Sequence, residues 1–380
     1  MKITGDWLTS APSQTVVRML NDAGHAAYFV GGCVRNALLD YPVSDIDVST
    51  DAVPEEVMQI AEAAGHRAVP TGLEHGTITV VVNDIAHETT TFRKDVATDG
   101  RRATVAFSKD ITDDALRRDF TMNALYADAE GTVLDPLGGL EDLNAHHVRF
   151  IEDPATRIRE DYLRILRFFR FHAWFGNPDA GLDADGLAAC AELADGMDRL
   201  SKERIGAEMM KLLAAPDPAP SVAAMRIAGV LAHVLPSADD QLLAPLVRLE
   251  GNVAPDYLRR LAILGGENIL ENLRLPKADG RRLDLLREEM GTMTSAKELG
   301  YRQGAALGLD VLLLRGALLN AAPSDRDVED LATGEEAVFP IKATDLMPAY
   351  EGSALGQKLT ELENTWIASG FALTARELLG

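Results

Sequence analysis

Hydrophobic and polar positions follow two different periods in the first 140 residues and mainly one after that. The run Tyr28 to Val30 predicts a short buried strand, and Thr77 to Val82 and His87 to Phe92, rich in β-branched residues, predict two more. Helical spacing appears over Ser13 to Asn21 and over Pro54 to Ala64. The second helix has proline at a first-turn position and is closed by Gly65. Between Lys94 and Asp110 the periodicity dissolves, which predicts a polar, glycine-bearing loop. Beyond residue 140 nearly everything reads as helix, interrupted by clusters such as Ala215-Pro216-Asp217-Pro218-Ala219-Pro220. The expected fold class is α+β: a small sheet with helices, followed by an all-helical remainder.

Length and composition set limits on this picture. A chain of 380 residues with 47% hydrophobic content is too long for one ordinary core, so two or more compact units are expected. Its two cysteines, Cys33 and Cys190, cannot build a disulfide framework, and no Cys/His group has zinc spacing. A reducing cytoplasm without a structural metal is the resulting expectation. No stretch approaches a membrane span, and the first residues lack a basic-then-apolar leader.

Chemistry concentrates behind the first strand. Tyr28 to Val30 empties into Gly31-Gly32-Cys33-Val34-Arg35, where glycines let backbone approach a phosphate and Arg35 supplies a positive fork. Ser44-Asp45-Ile46-Asp47-Val48-Ser49 then alternates polar and apolar. On a strand this puts Asp45 and Asp47 on one face, with Ile46 and Val48 packing inward. Two neighbouring carboxylates repel each other unless a hard divalent cation such as Mg²⁺, an oxygen-seeking ion often shared with phosphates, sits between them. A third segment, Arg117-Arg118-Asp119-Phe120-Thr121-Met122-Asn123-Ala124-Leu125, adds two arginines and an asparagine among apolar neighbours.

Together these segments resemble the class II nucleotidyltransferases, the polymerase-β-like family that contains bacterial tRNA CCA-adding enzymes and poly(A) polymerases. The family's motifs occur in order. After those above come Asp135-Pro136 with Gly138-Gly139, then Glu160-Asp161-Tyr162-Leu163-Arg164, then Glu203-Arg204 with Glu208 and Lys211, over roughly residues 25 to 212. The resemblance implies a nucleotidyltransferase head over 1–140, a helical neck recognising the nucleotide base over 141–215, a helical body over 216–310 and an RNA-binding tail over 311–380. It also implies Mg²⁺ held by Asp45 and Asp47, with Glu88 a third acidic position near the metals, and nucleotide contacts from Gly32, Arg35, Arg118 and Asn123.

Read as one helix, Glu160 to Phe171 places Arg164, Arg167 and Arg170 on an arc beside Asp161. By resemblance, Asp161 and Arg164 read the incoming base, while Arg167 and Arg170 hold phosphates or orient that pair. The implied activity is untemplated addition of CCA to the 3′ end of tRNA from CTP and ATP. The rival readings are a poly(A) polymerase of the same family and a non-catalytic RNA-binding paralogue. The net charge of −22 favours contact with the acceptor end of a tRNA through a local patch over tracking along a long strand. Gly100-Arg101-Arg102 resembles the flexible loop needed for the final A step.

Overall fold

The computed structural model describes residues 1–99 and 102–380, and the side chains of 95–105 are outside the description. The chain forms two compact units, residues 1–236 with 272–274, and residues 237–271 with 275–380.

The first unit is built on a mixed sheet. Its strands are β1 (Ala27–Val30), β2 (Asp47–Thr50), β3 (Arg67–Gly72), β4 (Thr77–Val82) and β5 (Ile85–Thr91), and after the hairpin strands β6 (Arg93–Asp99) and β7 (Arg102–Phe107) come β8 (Tyr126–Ala127) and β9 (Val133–Leu134). The sheet order is β3-β4-β5-β2-β1-β8-β9, and β2 runs parallel to β5 with Asp47 beside Glu88. Phe29, Val48, Ile78 and Val80 are buried. So are Val16, Val17 and Leu20 of the helix Ala11–Asp22, and Val57 and Ala61 of the helix Pro54–Ala63. Gly65 ends the latter with φ 78, a left-handed conformation that glycine adopts without a Cβ clash.

Three expectations are corrected. The strand read from Ser44 begins at Asp47, where pairing with β5 starts, so Asp45 and Ile46 lie on an approach segment without a ladder partner. The segment expected as a loop is a β-hairpin in which Arg93 pairs Phe107 and Asp99 pairs Arg102; Gly100 and Arg101 lie outside the described residues. The polar character that hid it belongs to a two-stranded ribbon that need not alternate with a core. Finally, the helix over Glu160 to Phe171 is two helices, Pro154–Glu160 and Leu163–Phe175. Asp161 breaks them with extended backbone (φ −154, ψ 107), and its carboxylate accepts from Leu163 N at 3.1 Å.

After residue 140 the described chain is helical. Phe120 packs against Phe150 and Phe171, and Phe150 against Phe168, with ring centroids 4.9, 5.0 and 5.3 Å apart. This aromatic cluster ties the Arg117–Leu125 segment to the helix Leu163–Phe175. The second unit is all-helical. Buried Arg259 and Arg260 are neutralised there by Glu250 and Asp310, and Ile341, Leu346, Leu362, Trp366 and Leu378 form a separate apolar cluster.

Candidate active site

At the end of β1 the chain turns through Gly31 at φ 72 into the helix Gly32–Leu38. A Cβ at Gly31 would stand 3.4 Å from Arg118 Nη1, so the glycine lets that guanidinium lie against the turn. Arg35, one turn into the helix, is 8% exposed. It donates to Asn123 Oδ1 at 2.5 Å and to Asn36 Oδ1 at 2.8 Å, and its guanidinium lies 4.1 Å from the Phe175 ring centroid. Burial lowers its pKa to about 10; Asp119 opposes the shift, and Arg170 and Arg167 add to it.

Asp45, Asp47 and Glu88 line one cleft with Ser44, Ile46, Thr79, Ile85 and Ala86. The parallel pairing of β2 with β5 is what brings Glu88 beside Asp47. Burial raises the Asp47 carboxyl from 3.8 to about 6, Glu88 and Asp45 push the same way, and Arg118 opposes them. A carboxylate group made costly in this way fits a divalent cation, and the donor set is hard oxygen throughout. Among the described residues no group of three or more His, Cys, Asp or Glu side chains already converges with metal-ligand geometry.

Arg118 is fixed from below by Asp114, a residue the sequence reading passed over. Asp114 is fully buried and accepts from Arg118 Nη2 at 2.9 Å, Arg117 Nε at 2.8 Å, Tyr126 OH at 2.8 Å and Ser49 Oγ at 3.2 Å. Burial pushes its pKa up, but the two guanidiniums and these hydrogen bonds hold it well below the usual carboxylate range. The signal was present as an acid three and four positions before paired arginines. Asp119 was also missed as an individual residue. It pairs with Arg167 Nε at 2.6 Å and accepts from Asn123 Nδ2 at 2.8 Å. A relay Arg167–Asp119–Asn123–Arg35 therefore joins the helix Leu163–Phe175 to the helix Gly32–Leu38.

The arginines after Asp161 divide. Arg170 pairs with buried Glu208 at 2.5 Å and lines a cavity of about 330 Å³ together with Gly32, Arg35, Asp45, Trp174 and Lys211. Ser44 and Asp45 line both this cavity and the carboxylate cleft, so the two are neighbours. Asp161 and Arg164 line neither. Asp161 pairs with Arg204 at 2.6 Å. Arg164 pairs with Glu160 and donates to the backbone carbonyls of Arg157 at 2.9 Å and Arg117 at 3.2 Å. The structure thus gathers Gly32, Arg35, Asp45 and Arg170 at one cavity, sets Asp47 and Glu88 in the adjoining cleft, links Arg167 to Arg35 through Asp119 and Asn123, holds Arg118 on Asp114, and turns Asp161 and Arg164 toward other partners.

The chain is similar to known proteins in sequence and fold. Residues 27–149 match the poly A polymerase head domain, and residues 182–242 match a probable RNA and SrmB-binding site of polymerase A. The CCA-adding enzyme of Streptococcus gordonii is 43% identical over 203 residues, covering 53% of this chain and 49% of that protein. That of Limosilactobacillus fermentum is 41% identical over 204 residues, with 53% and 49% covered. The chain spans about half the length of the curated relatives it matches. The crystal structure of the Bacillus stearothermophilus CCA-adding enzyme in complex with CTP has a TM-score of 0.73 and 27% identity, covering 94% of this chain and 92% of that one. Motif order and sheet topology agree with these likenesses: residues 27–149 are similar to a poly A polymerase head domain, and the fold is similar to that of the CCA-adding enzyme crystallised with CTP.

Proposed function

We propose that this chain adds C, C and A in turn to the 3′ end of tRNA, using CTP and ATP; its relatives are named CCA-adding enzymes. The observation that carries the reading is the shared wall at Asp45, where an arginine-lined cavity meets a carboxylate cleft. A triphosphate in the first would present its reacting phosphorus to a cation in the second. The proposed division is a catalytic head over 1–140, a neck over 141–215, a body over 216–310 and an RNA-binding tail over 311–380, in a cytoplasmic protein. No helix of the described residues is long and apolar enough to cross a membrane.

Nucleotidyltransferases of this family use divalent metal ions, and Mg²⁺ is the ion we propose here. Asp45 and Asp47 hold it, with Glu88 alongside, and when bound it supplies a lowered pKa at the attacking 3′-hydroxyl and charge neutralisation on the triphosphate. Arg35 and Arg170 orient the phosphates, Gly32 leaves room for their approach, and Arg118 offsets the carboxylate charge from below. Asn123 positions Arg35 near the sugar.

Asp161 and Arg164 choose the base. Cytosine and adenine each present an amino donor beside a ring-nitrogen acceptor, so a carboxylate and a guanidinium satisfy both. Uracil and guanine invert this pattern and leave buried groups unpaired. Base reading requires Asp161 to share or exchange Arg204, and Arg164 to leave Glu160.

The test is incubation with a tRNA lacking its 3′ end, with CTP alone, ATP alone and both, read at single-nucleotide resolution. Two C then one A, followed by a stop, is the expected result. A run of A would replace the reading with a poly(A) polymerase, and no addition would replace it with a non-catalytic RNA binder.

A further inference from the structure

Three guanidiniums surround one buried ring. Phe171 is 3% exposed, and the Cζ atoms of Arg170, Arg35 and Arg167 lie 4.5, 5.1 and 5.2 Å from its centroid. Carboxylates neutralise two of these cations: Arg170 pairs with Glu208 and Arg167 with Asp119. Arg35 has only the neutral amides of Asn36 and Asn123 as polar partners among the described residues. The cluster therefore holds three guanidiniums against two paired carboxylates, an excess of one cation beside the cavity that Arg35 and Arg170 line with Asp45. Like charges this close repel, and the face of an aromatic ring attracts cations more strongly where water is excluded. The ring itself is fixed by Phe120 and Phe175, with centroids 5.0 and 5.5 Å away.

We infer that Phe171 is a positioning residue for nucleotide binding, whose π face holds Arg35, Arg167 and Arg170 together so that an excess positive charge faces the triphosphate. The inference rests on the proposed nucleotide site. Phe171 does not touch the reacting atoms. It acts through the arginines, so its effect belongs mainly to KM, and it is the same for CTP and ATP because the phosphates are common to both.

The experiment replaces Phe171 in the full-length protein by phenylalanines carrying one, two and three ring fluorines, which drain the face of negative charge while nearly preserving shape. KM for CTP and for ATP should rise stepwise, by roughly 10-fold over the series, with kcat changed less and the melting temperature held. Phe171→Leu, apolar but without a ring, should raise KM at least as far as the trifluoro variant. A KM that stays flat across the fluorinated series overturns the inference, because a merely space-filling ring would be indifferent to fluorine. Arg35→Gln separates the two levels. If Arg35→Gln raises KM while the series is flat, the nucleotide site stands and the π-face role falls. If Arg35→Gln leaves KM unmoved, the nucleotide-site reading falls and takes the inference with it.

Discussion

At the residue scale, Asp47 carries the clearest conflict between stability and function. Its folded-state pKa, about 6, lies above the ordinary 3.8, so the folded protein keeps a proton there that the unfolded chain has lost. Stability therefore falls as pH rises between those values, and the penalty is complete above the upper one. Asp47→Asn should raise the melting temperature of the metal-free protein at about pH 7.5 and do so much less at about pH 4, where the unfolded chain is largely protonated at this position too. The same substitution should lower nucleotide addition on the order of 10³-fold or more, because metal stabilisation of phosphoryl transfer is worth several kcal/mol. An equal melting shift at both pH values would mean that the ionised carboxylate is not what costs stability. Asp161 supports a separate prediction. Asp161→Ala should shrink the preference for CTP over UTP by roughly 5- to 100-fold, measured as kcat/KM on a tRNA ending before the first C. If instead all four nucleotides slow in the same ratio, the residue acts through its pairing with Arg204 and its cap on Leu163. The turn at Gly31 and the meeting of Asp45 and Asp47 at one cleft could be read from sequence because their spacing is local. Asp114 left a local signal in its spacing to Arg117 and Arg118, whereas Asp119 left none, since its partner Arg167 lies 48 positions away and closes over it only after folding.

At the element scale, a long strand that alternates into the core was legible from its pattern, and an element that pairs only with itself was not. β4 has the bounds expected from its β-branched run, because Ile78, Val80 and Val82 alternate into the core. The β6–β7 hairpin gives no such signal, because its pairing is with itself. The break at Asp161 was hidden because apolar spacing continues through it, while the event that interrupts the helix is a side-chain cap onto Leu163 and a pair with Arg204 made across 43 positions of sequence. The hairpin is anchored at its base: Lys94 meets Asp113 at 3.0 Å, and Phe107 sits over Gly76, where a Cβ would come within 2.8 Å of its ring. An element fixed at its base can act as a lid on the later step. Replacing residues 95 to 103 by a short Gly/Ser linker should leave addition of the two C residues largely intact and abolish addition of A. Equal loss of both steps would show that the segment only supports the fold.

At the scale of the whole molecule, charge constrains how RNA can be held. With 37 basic against 59 acidic side chains, the chain as a whole repels a polyanion. In the first unit several of the arginines are already committed: Arg117 and Arg118 to Asp114, Arg167 to Asp119, Arg170 to Glu208 and Arg204 to Asp161. Those guanidiniums are withdrawn from RNA phosphates, so tRNA affinity should come from a small local patch and from shape rather than from counterion release along a strand. If about four phosphates are contacted, the plot of log affinity against log salt should have a slope near −3. A protein that tracks long RNA through ten or so contacts would give a slope near −7 to −9. The measurement is tRNA binding by fluorescence anisotropy across a salt series, with a long oligo(A) as competitor. The expected result is the shallow slope and weak competition. A slope beyond about −7 with oligo(A) competing as well as tRNA would put an extended basic track on this acidic chain, and the case for a tRNA-end grip over a polymerase-like one would fail.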